Sequence, residues 1–341
     1  MSKKITYTLS YPIVLTRACA NACGYCRFPA SDPGRLPTLK AFRGQLRKAA
    51  SLGATQIELV AGEGIATDPD IIDTIRYYGF DSYQAYLTRL LQLVEATNRR
   101  SHLFSLLNIG PLSLAELRLM RPWLCAMRLM LESADPLLEY REAHRDAPGK
   151  MPQERLEGIL SCGKAGVPLT TGILLGIGET LESHGQAFEV FQRAHERYRH
   201  IQAVRIQMFH PVPCTPMAHF QEISDDKFLE VIGQAVKTLG SDMEIQVAAE
   251  EHPHLIGELL DAGVTDLGEI SVRRPAGADP SAEDLERMIQ AQARARGLSV
   301  ERRFPIHGVY CTKTWYPGGF PNRLPAAIAI RRETARFLKN H

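Results

Sequence analysis

The sequence predicts a (β/α)8 barrel, and three observations lead there. Short apolar, β-branched runs alternate with longer amphipathic stretches along most of the chain. Eight such runs can be counted, and residues with useful polar chemistry fall where the runs stop. The chain has 341 residues, longer than a usual single domain, yet α/β barrels fill this length as one unit. We therefore expect one barrel over residues 1–300 and a C-terminal extension, 301–341, packed on it.

The strands are expected at Tyr7–Leu15, Gln56–Ala61, Leu103–Asn108, Ala126–Glu132, Leu169–Gly176, Ala203–Phe209, Glu244–Ala248 and Leu267–Val272, each a short apolar run of strand length. Helical periodicity places helices at Leu39–Ser51, Tyr83–Ala96, Gln153–Ala165, His184–Arg197, Asp225–Leu239 and Pro253–Ala262. Several of these stop at a glycine, the residue that tolerates the left-handed turn closing a helix. Pro275–Pro280 reads as a loop and Ala282–Arg296 as a further helix. Arg303–Asn322 is rich in aromatics, Gly and Pro without a helical period, and Pro325–Leu338 resumes one.

Composition narrows the function classes. With 45% hydrophobic and 23% charged residues the chain is an ordinary globular one. A formal net charge of +2, spread rather than clustered, argues for neither a nucleic-acid nor a membrane surface. No apolar run spans a bilayer and no signal peptide is evident, so a cytoplasmic protein is expected. Seven cysteines, three of them within eight residues and four scattered, do not form a secreted disulfide framework.

The three are Cys19, Cys23 and Cys26, a C-x3-C-x2-C run just after the first strand. A [4Fe–4S] cube normally takes four thiolates, so three leave one iron open to an exogenous ligand. Gly24 is expected to let the loop turn tightly. A zinc site would want a fourth Cys or His nearby, and none follows; three buried structural cysteines are the plainest alternative. Cys125, Cys162, Cys214 and Cys311 are solitary, and Cys214 reads first as a small apolar residue, with a thiol near the chemistry as the alternative.

This run, with Tyr25 directly before the last cysteine, resembles the signature of the radical S-adenosylmethionine (SAM) superfamily. The resemblance implies a [4Fe–4S] cluster and SAM as cofactors, an electron donor of the flavodoxin or ferredoxin type, and a 5′-deoxyadenosyl radical that abstracts a substrate hydrogen. It also implies that Tyr25 approaches the adenine. After strand two, Gly62-Glu63 is similar to the superfamily's Gly-Gly-Glu position, which meets the SAM amino group. Glu132-Ser133, after strand four, suits the ribose hydroxyls. Gly176, within GILLGIGET, allows close approach of a ligand, although that stretch also reads as a turn with Thr180 as a helix N-cap. Gln207, at the end of strand six, completes the SAM-facing candidates.

Longer stretches resemble one branch, the 7,8-didemethyl-8-hydroxy-5-deazariboflavin (FO) synthase family, in its CofG half. They are Ala22–Cys26, Leu129–Ser133, Ala147–Lys150, Pro168–Thr180, His200–Gln202 and Thr215–Met217. The resemblance implies a lyase that closes the deazaflavin ring of a tyrosine–ribitylaminouracil adduct with loss of ammonia, beside a CofH-like partner enzyme. It offers Arg155 for the SAM carboxylate. The chain departs from the family at Ala248–His252, where Ala-Pro-Pro-Asn is typical, and at Gly268–Val272, where Gly-Gly-Ile-Ser-Pro is typical. Glu250, Glu251 and Glu269 are thereby candidates for substrate contact, and a paralogue acting on a different aromatic or amino-acid-derived substrate is the alternative.

Overall fold

The computed structural model describes residues 4–273, 279–312 and Trp315. Its strands are β1 (Lys4–Val14), β2 (Gln56–Val60), β3 (Phe104–Asn108), β4 (Ala126–Arg128), β5 (Leu169–Leu175), β6 (Ile201–Met208), β7 (Glu244–Gln246), β8 (Asp266–Ser271) and β9 (Ser299–Arg302). All pairings are parallel, running β2-β3-β4-β5-β6-β7-β8-β1-β9, and an added β1–β2 pairing closes the first eight into a barrel. β9 extends the sheet by pairing with the start of β1, Lys4–Tyr7.

The helices are α1 (Leu39–Ser51), α2 (Pro69–Tyr77), α3 (Tyr83–Ser101), α4 (Leu114–Met120), α5 (Pro152–Ala165), α6 (Leu181–Tyr198), α7 (Asp225–Leu239), α8 (Ile256–Asp261) and α9 (Ala282–Ala295). They lay apolar stripes on the barrel: α1 buries Phe42, Leu46 and Ala49, and α7 buries Phe228, Val231, Ile232, Ala235 and Leu239. Gly166 closes α5 in the left-handed conformation expected of it.

The differences from expectation are local. α2, α4 and β9 were not anticipated. The first is nine residues long with a Pro at its start and Asp68 capping two backbone N–H groups; the second is a seven-residue helix defined by a Ser113/Glu116 capping box. Such short pieces carry too few turns for a period to show. β4 stops at Arg128 rather than Glu132. The chain beyond it keeps bonding to β5, through Leu129 N to Thr170 O and Leu131 N to Gly172 O, and Glu132, at φ +67°, still bridges Ile173 and accepts from Leu174 N. Thr180 stands at the N-cap of α6 without a side-chain capping bond.

Buried polar side chains bond across the barrel strands. Gln56 Nε2 donates to Ser10 Oγ, Asn108 Nδ2 to Glu58 Oε1, and Gln246 Nε2 to Asp266 Oδ1, so neighbouring strands are tied by side chains as well as backbone. The end formed by the strand starts is plugged by the segment after β9. Phe304, Ile306 and Tyr310 pack on Phe104 and Cys125, Gln202 holds Pro305 O and His307 N, and Arg303 reaches in to Asp266. Arg303 Nε and Nη2 donate to both Asp266 oxygens at 2.5 and 2.8 Å. Burial would raise the Asp266 carboxyl, but Arg303 holds it far below its usual range. The packed part of the expected extension is thus Arg303–Tyr310; the expected helix Pro325–Leu338 lies outside the described residues.

Breaking a buried pair strands a charge, at about 3–5 kcal/mol. Asp266→Asn should therefore lower unfolding stability in urea by that amount, and Arg303→Met by a similar one. Retention of the wild-type midpoint by either variant would show that this plug does not hold the barrel closed.

Candidate active site

The loop after β1 carries the three cysteines, and its backbone is fastened on three sides. Ala20 N bonds Glu63 O, Ala22 N bonds Asp146 O, Gly24 N bonds Ala143 O, and Gly24 O accepts from Met217 N, all at 2.8–2.9 Å. Gly24 is needed for close approach rather than for a tight turn: a Cβ there would stand 2.1 Å from Glu142 O. Gly62 is required on the same ground, since its Cβ would lie 2.0 Å from Ala18 O and 2.4 Å from Cys19 Cβ. The β2 loop therefore lies directly against the cysteine loop.

Two cysteine sulfurs accept backbone hydrogen bonds, Cys19 Sγ from Glu63 N and Cys26 Sγ from Phe28 N, both at 3.3 Å. Such donors favour thiolate. Burial pushes the Cys23 thiol up to about 12 against the pull of Lys150 and raises Cys26 as well, so loading iron here must displace protons. Among the described residues no three Cys, His, Asp or Glu side chains converge on a point that could hold a single ion. Ligands of a cube bind separate irons and stand further apart than ligands of one ion. Three thiols on a rigid loop with amide donors to sulfur fit the cluster chemically.

Beside the loop lies a buried ionic cluster. Lys150 Nζ donates to Glu63 Oε1 at 2.9 Å and to Glu132 Oε1 at 2.8 Å. Arg155 Nη1 donates to Glu63 Oε1 at 2.8 Å, its Nη2 stands 3.8 Å from Glu132 Oε1, and its Nε is spent on Met130 O. Asn21 Nδ2, from the cysteine loop itself, bonds Glu63 Oε2 at 3.0 Å, and Gly149 N fixes Asn21 Oδ1. Burial would raise both glutamates, but Lys150 and Arg155 outweigh it and keep them below the ordinary carboxylate range. Burial alone would lower Lys150; the two carboxylates and Cys23 prevail and raise it despite the opposing charge of Arg155. Both acids are thus ionised and aimed.

The sequence-selected residues separate by position. Tyr25, Glu132 and Gln207 line a cavity of ≈ 530 Å³ with Met130, Leu174 and Phe209. Tyr25 OH lies 3.3 Å from His144 Nε2; burial raises the phenol and pushes His144 down to about 4, so both are neutral near pH 7. Ser133 is not among the cavity residues: its Oγ accepts from Asp135 N and ties the following turn. Gly176 is also away from the cavity. Its N–H and that of Ile177 bond the Glu179 carboxylate, which pairs with His184 Nε2 at 3.0 Å, so GILLGIGET organises a turn. Arg155, 2% exposed, sits behind the two glutamates as their support. Cys214 is exposed.

Sequence reasoning missed Lys150, Asn21 and His144 as site residues. The available signals were Lys150, at the end of a stretch already singled out, and the place of Asn21 between Cys19 and Cys23; His144 gains meaning only from what it touches.

A protein-family model described as the radical SAM superfamily matches residues 13–191. The chain is 34% identical over 316 residues to the 7,8-didemethyl-8-hydroxy-5-deazariboflavin synthase of Methanothermobacter thermautotrophicus, covering 91% of this chain and 93% of that protein. It is 33% identical to the synthase of the same name from Methanocaldococcus jannaschii, over 91% of this chain and 86% of the other. Among solved structures it is similar to the FeFe-hydrogenase maturase HydG from Carboxydothermus hydrogenoformans, with a TM-score of 0.68 and 22% identity over 88% of this chain and 68% of that one. Methylornithine synthase (PylB) superposes with a TM-score of 0.65 and 18% identity over 88% and 84% of the two chains. These structural likenesses concern the fold. No helix among the described residues is long and apolar enough to cross a membrane.

Lys150→Met should destabilise cluster-free protein by about 3–5 kcal/mol at neutral pH, because two buried carboxylates lose their shared amine. The pH dependence has a definite sign. Depressed folded-state carboxyls stabilise above their unfolded pKa, and that stability is lost as pH falls through the folded values. In the variant those carboxyls rise, so the acid-unfolding midpoint should move to higher pH. An unchanged acid midpoint would show that Lys150 does not govern them.

Proposed function

The chain belongs to the radical SAM superfamily, and we propose that it closes the deazaflavin ring of a tyrosine–ribitylaminouracil adduct, as a lyase that releases ammonia. Membership makes it an enzyme family whose cofactors are SAM and a [4Fe–4S] cluster. The observation that carries the finer reading is the identity to deazaflavin synthases over nine-tenths of the chain. When bound, the cluster supplies the electron that cleaves SAM into a hydrogen-abstracting radical.

The chain's own residues would divide the remaining work. Cys19, Cys23 and Cys26 hold three irons, with Glu63 N–H and Phe28 N–H steadying two of the sulfurs. Glu63 and Glu132, ionised and held by Lys150 and Arg155, offer carboxylates to the ammonium and hydroxyl groups of SAM. Tyr25 flanks the same cavity. Met130, Leu174 and Phe209 form its apolar wall and keep water from a reactive intermediate. The electron would come from a flavodoxin- or ferredoxin-type donor, and the adduct from a CofH-like enzyme.

A second reading keeps this machinery and changes the substrate to another aromatic or amino-acid-derived molecule. It is favoured by the residues at which the chain departs from the family pattern: Glu251 and Glu269 both pair with Arg205, and Arg205 and Glu251 line the same cavity as Tyr25.

Reconstituted enzyme supplied with SAM, reductant and the adduct should yield a fluorescent deazaflavin. Active SAM cleavage without that product would remove the first reading and leave the second. Glu63→Gln, which forfeits a charge-assisted contact of about 1.5–3 kcal/mol, should weaken SAM binding by roughly tenfold or more, measured by calorimetric titration of the holoenzyme.

A further inference from the structure

Arg128, the last residue of β4, lines both the ≈ 530 Å³ cavity that holds Tyr25 and an adjoining one of ≈ 230 Å³. Its guanidinium is clamped from two other strands. Nη1 donates to Glu58 Oε1 of β2 at 2.8 Å, and Nη2 lies 2.5 Å from Glu269 Oε1 of β8. Asn108 Nδ2, from β3, bonds the same Glu58 oxygen at 2.9 Å, so the carboxylate that orients Arg128 is itself fixed.

The clamp leaves one edge of the guanidinium open. Arg128 is 9% exposed, yet its Nε and Nη2 have no well-directed hydrogen-bond acceptor among the described residues, Nη2 despite its closeness to Glu269. In a guanidinium these two nitrogens are neighbours on one side, and their N–H bonds point the same way as a two-pronged donor. A buried donor without an acceptor is costly, and folded proteins hold few of them. The neighbouring Arg205 is different: its Nη1 bonds Glu269 and its Nη2 bonds Glu251, both at 2.8 Å.

The open edge calls for an acceptor rather than for a charge. Glu58 and Glu269 already oppose the positive charge of Arg128, so a bound anion would lie beside two carboxylates. A cation would leave the open N–H groups unmet. An uncharged carbonyl oxygen has the lone pairs to fill the edge and brings no charge with it. In the larger cavity Met130, Leu174 and Phe209 offer an apolar wall to the rest of such a molecule.

We propose that Arg128 is a substrate-binding residue, whose open edge donates to an uncharged carbonyl oxygen of the substrate while the body of the molecule lies on the apolar wall. The proposal rests on the radical SAM reading of this cavity and deepens it, by naming the anchor and the chemical class of the group anchored.

The test uses holoenzyme with SAM and three probes of one shape, titrated calorimetrically: p-hydroxyphenylacetone, p-isobutylphenol and p-hydroxyphenylacetate. They carry a carbonyl, a hydrocarbon branch and a carboxylate at the same position. The ketone should bind at least about tenfold more tightly than the hydrocarbon, as a hydrogen bond from a charged donor provides, and the carboxylate should bind more weakly than the ketone. Arg128→Lys keeps a cation between Glu58 and Glu269 but lacks the paired N–H edge, and should cut the ketone's advantage to about twofold or less. No advantage of the ketone over the hydrocarbon, tightest binding by the carboxylate, or no binding by any probe overturns the proposal, as does an advantage kept intact in Arg128→Lys. If that variant does not fold, the carbonyl stretch of isotope-labelled ketone bound to wild-type enzyme decides: a frequency below that in water is expected, and a frequency at or above it overturns the proposal. Reductive formation of 5′-deoxyadenosine is measured in the same wild-type samples. Cleavage without carbonyl preference removes the Arg128 assignment alone, whereas no cleavage removes the reading beneath it.

Discussion

A charge can stay inside a protein only beside its opposite, and that constraint shapes this barrel from end to end. At the strand starts Asp266 takes Arg303; in the middle Arg128 and Arg205 take Glu58, Glu269 and Glu251; at the cysteine loop Lys150 and Arg155 take Glu63 and Glu132. Each group joins side chains from different strands or loops of the barrel, so pairing charge and bringing those segments together go hand in hand. The cost of desolvating these groups is repaid only in the closed geometry.

The two carboxylates at the cysteine loop show how the arrangement serves chemistry. Glu63 is tied to the cysteine loop by Asn21 and by its own backbone N–H on Cys19. Lys150 joins it to Glu132, and Arg155 backs both. The acids are pre-oriented before any ligand arrives, which spares reorganisation at the moment of reaction. Glu132 holds φ +67°, a left-handed conformation uncommon outside glycine, while its backbone stays bridged to Ile173 of β5 and its carboxylate joins the cluster.

The eight barrel strands and the order of most helices were legible because each is a run long enough to show its period. α2, α4 and β9 were not, being too short for a pattern. Within the site, legibility followed local motif. Cys19, Cys23, Cys26 and Glu63 stand in recognisable runs, whereas His144, Arg128 and Arg205 are ordinary residues in loops and strands whose partners lie more than 42 residues away in most of the bonds they make; Asn21 stands inside the cysteine run, but its bond to Glu63 spans 42 residues. Ser133 and Gly176 lie in suggestive runs, yet the structure commits Ser133 to a turn and folds Gly176 back on Glu179.

By itself, the sequence determined the barrel and the three-thiol loop, which are written in apolar period and short-range spacing, and it pointed to the family through the resemblance of its motifs. Only the tertiary structure decided which charges face one another. It set Arg155, which the resemblance offered for the SAM carboxylate, against Glu63 and Glu132, and it joined Glu251 and Glu269 to Arg205 and Glu269 to Arg128. The physical reason is that an ion pair depends on distance in space, and a closed parallel barrel brings together strand ends that the chain separates by whole βα units.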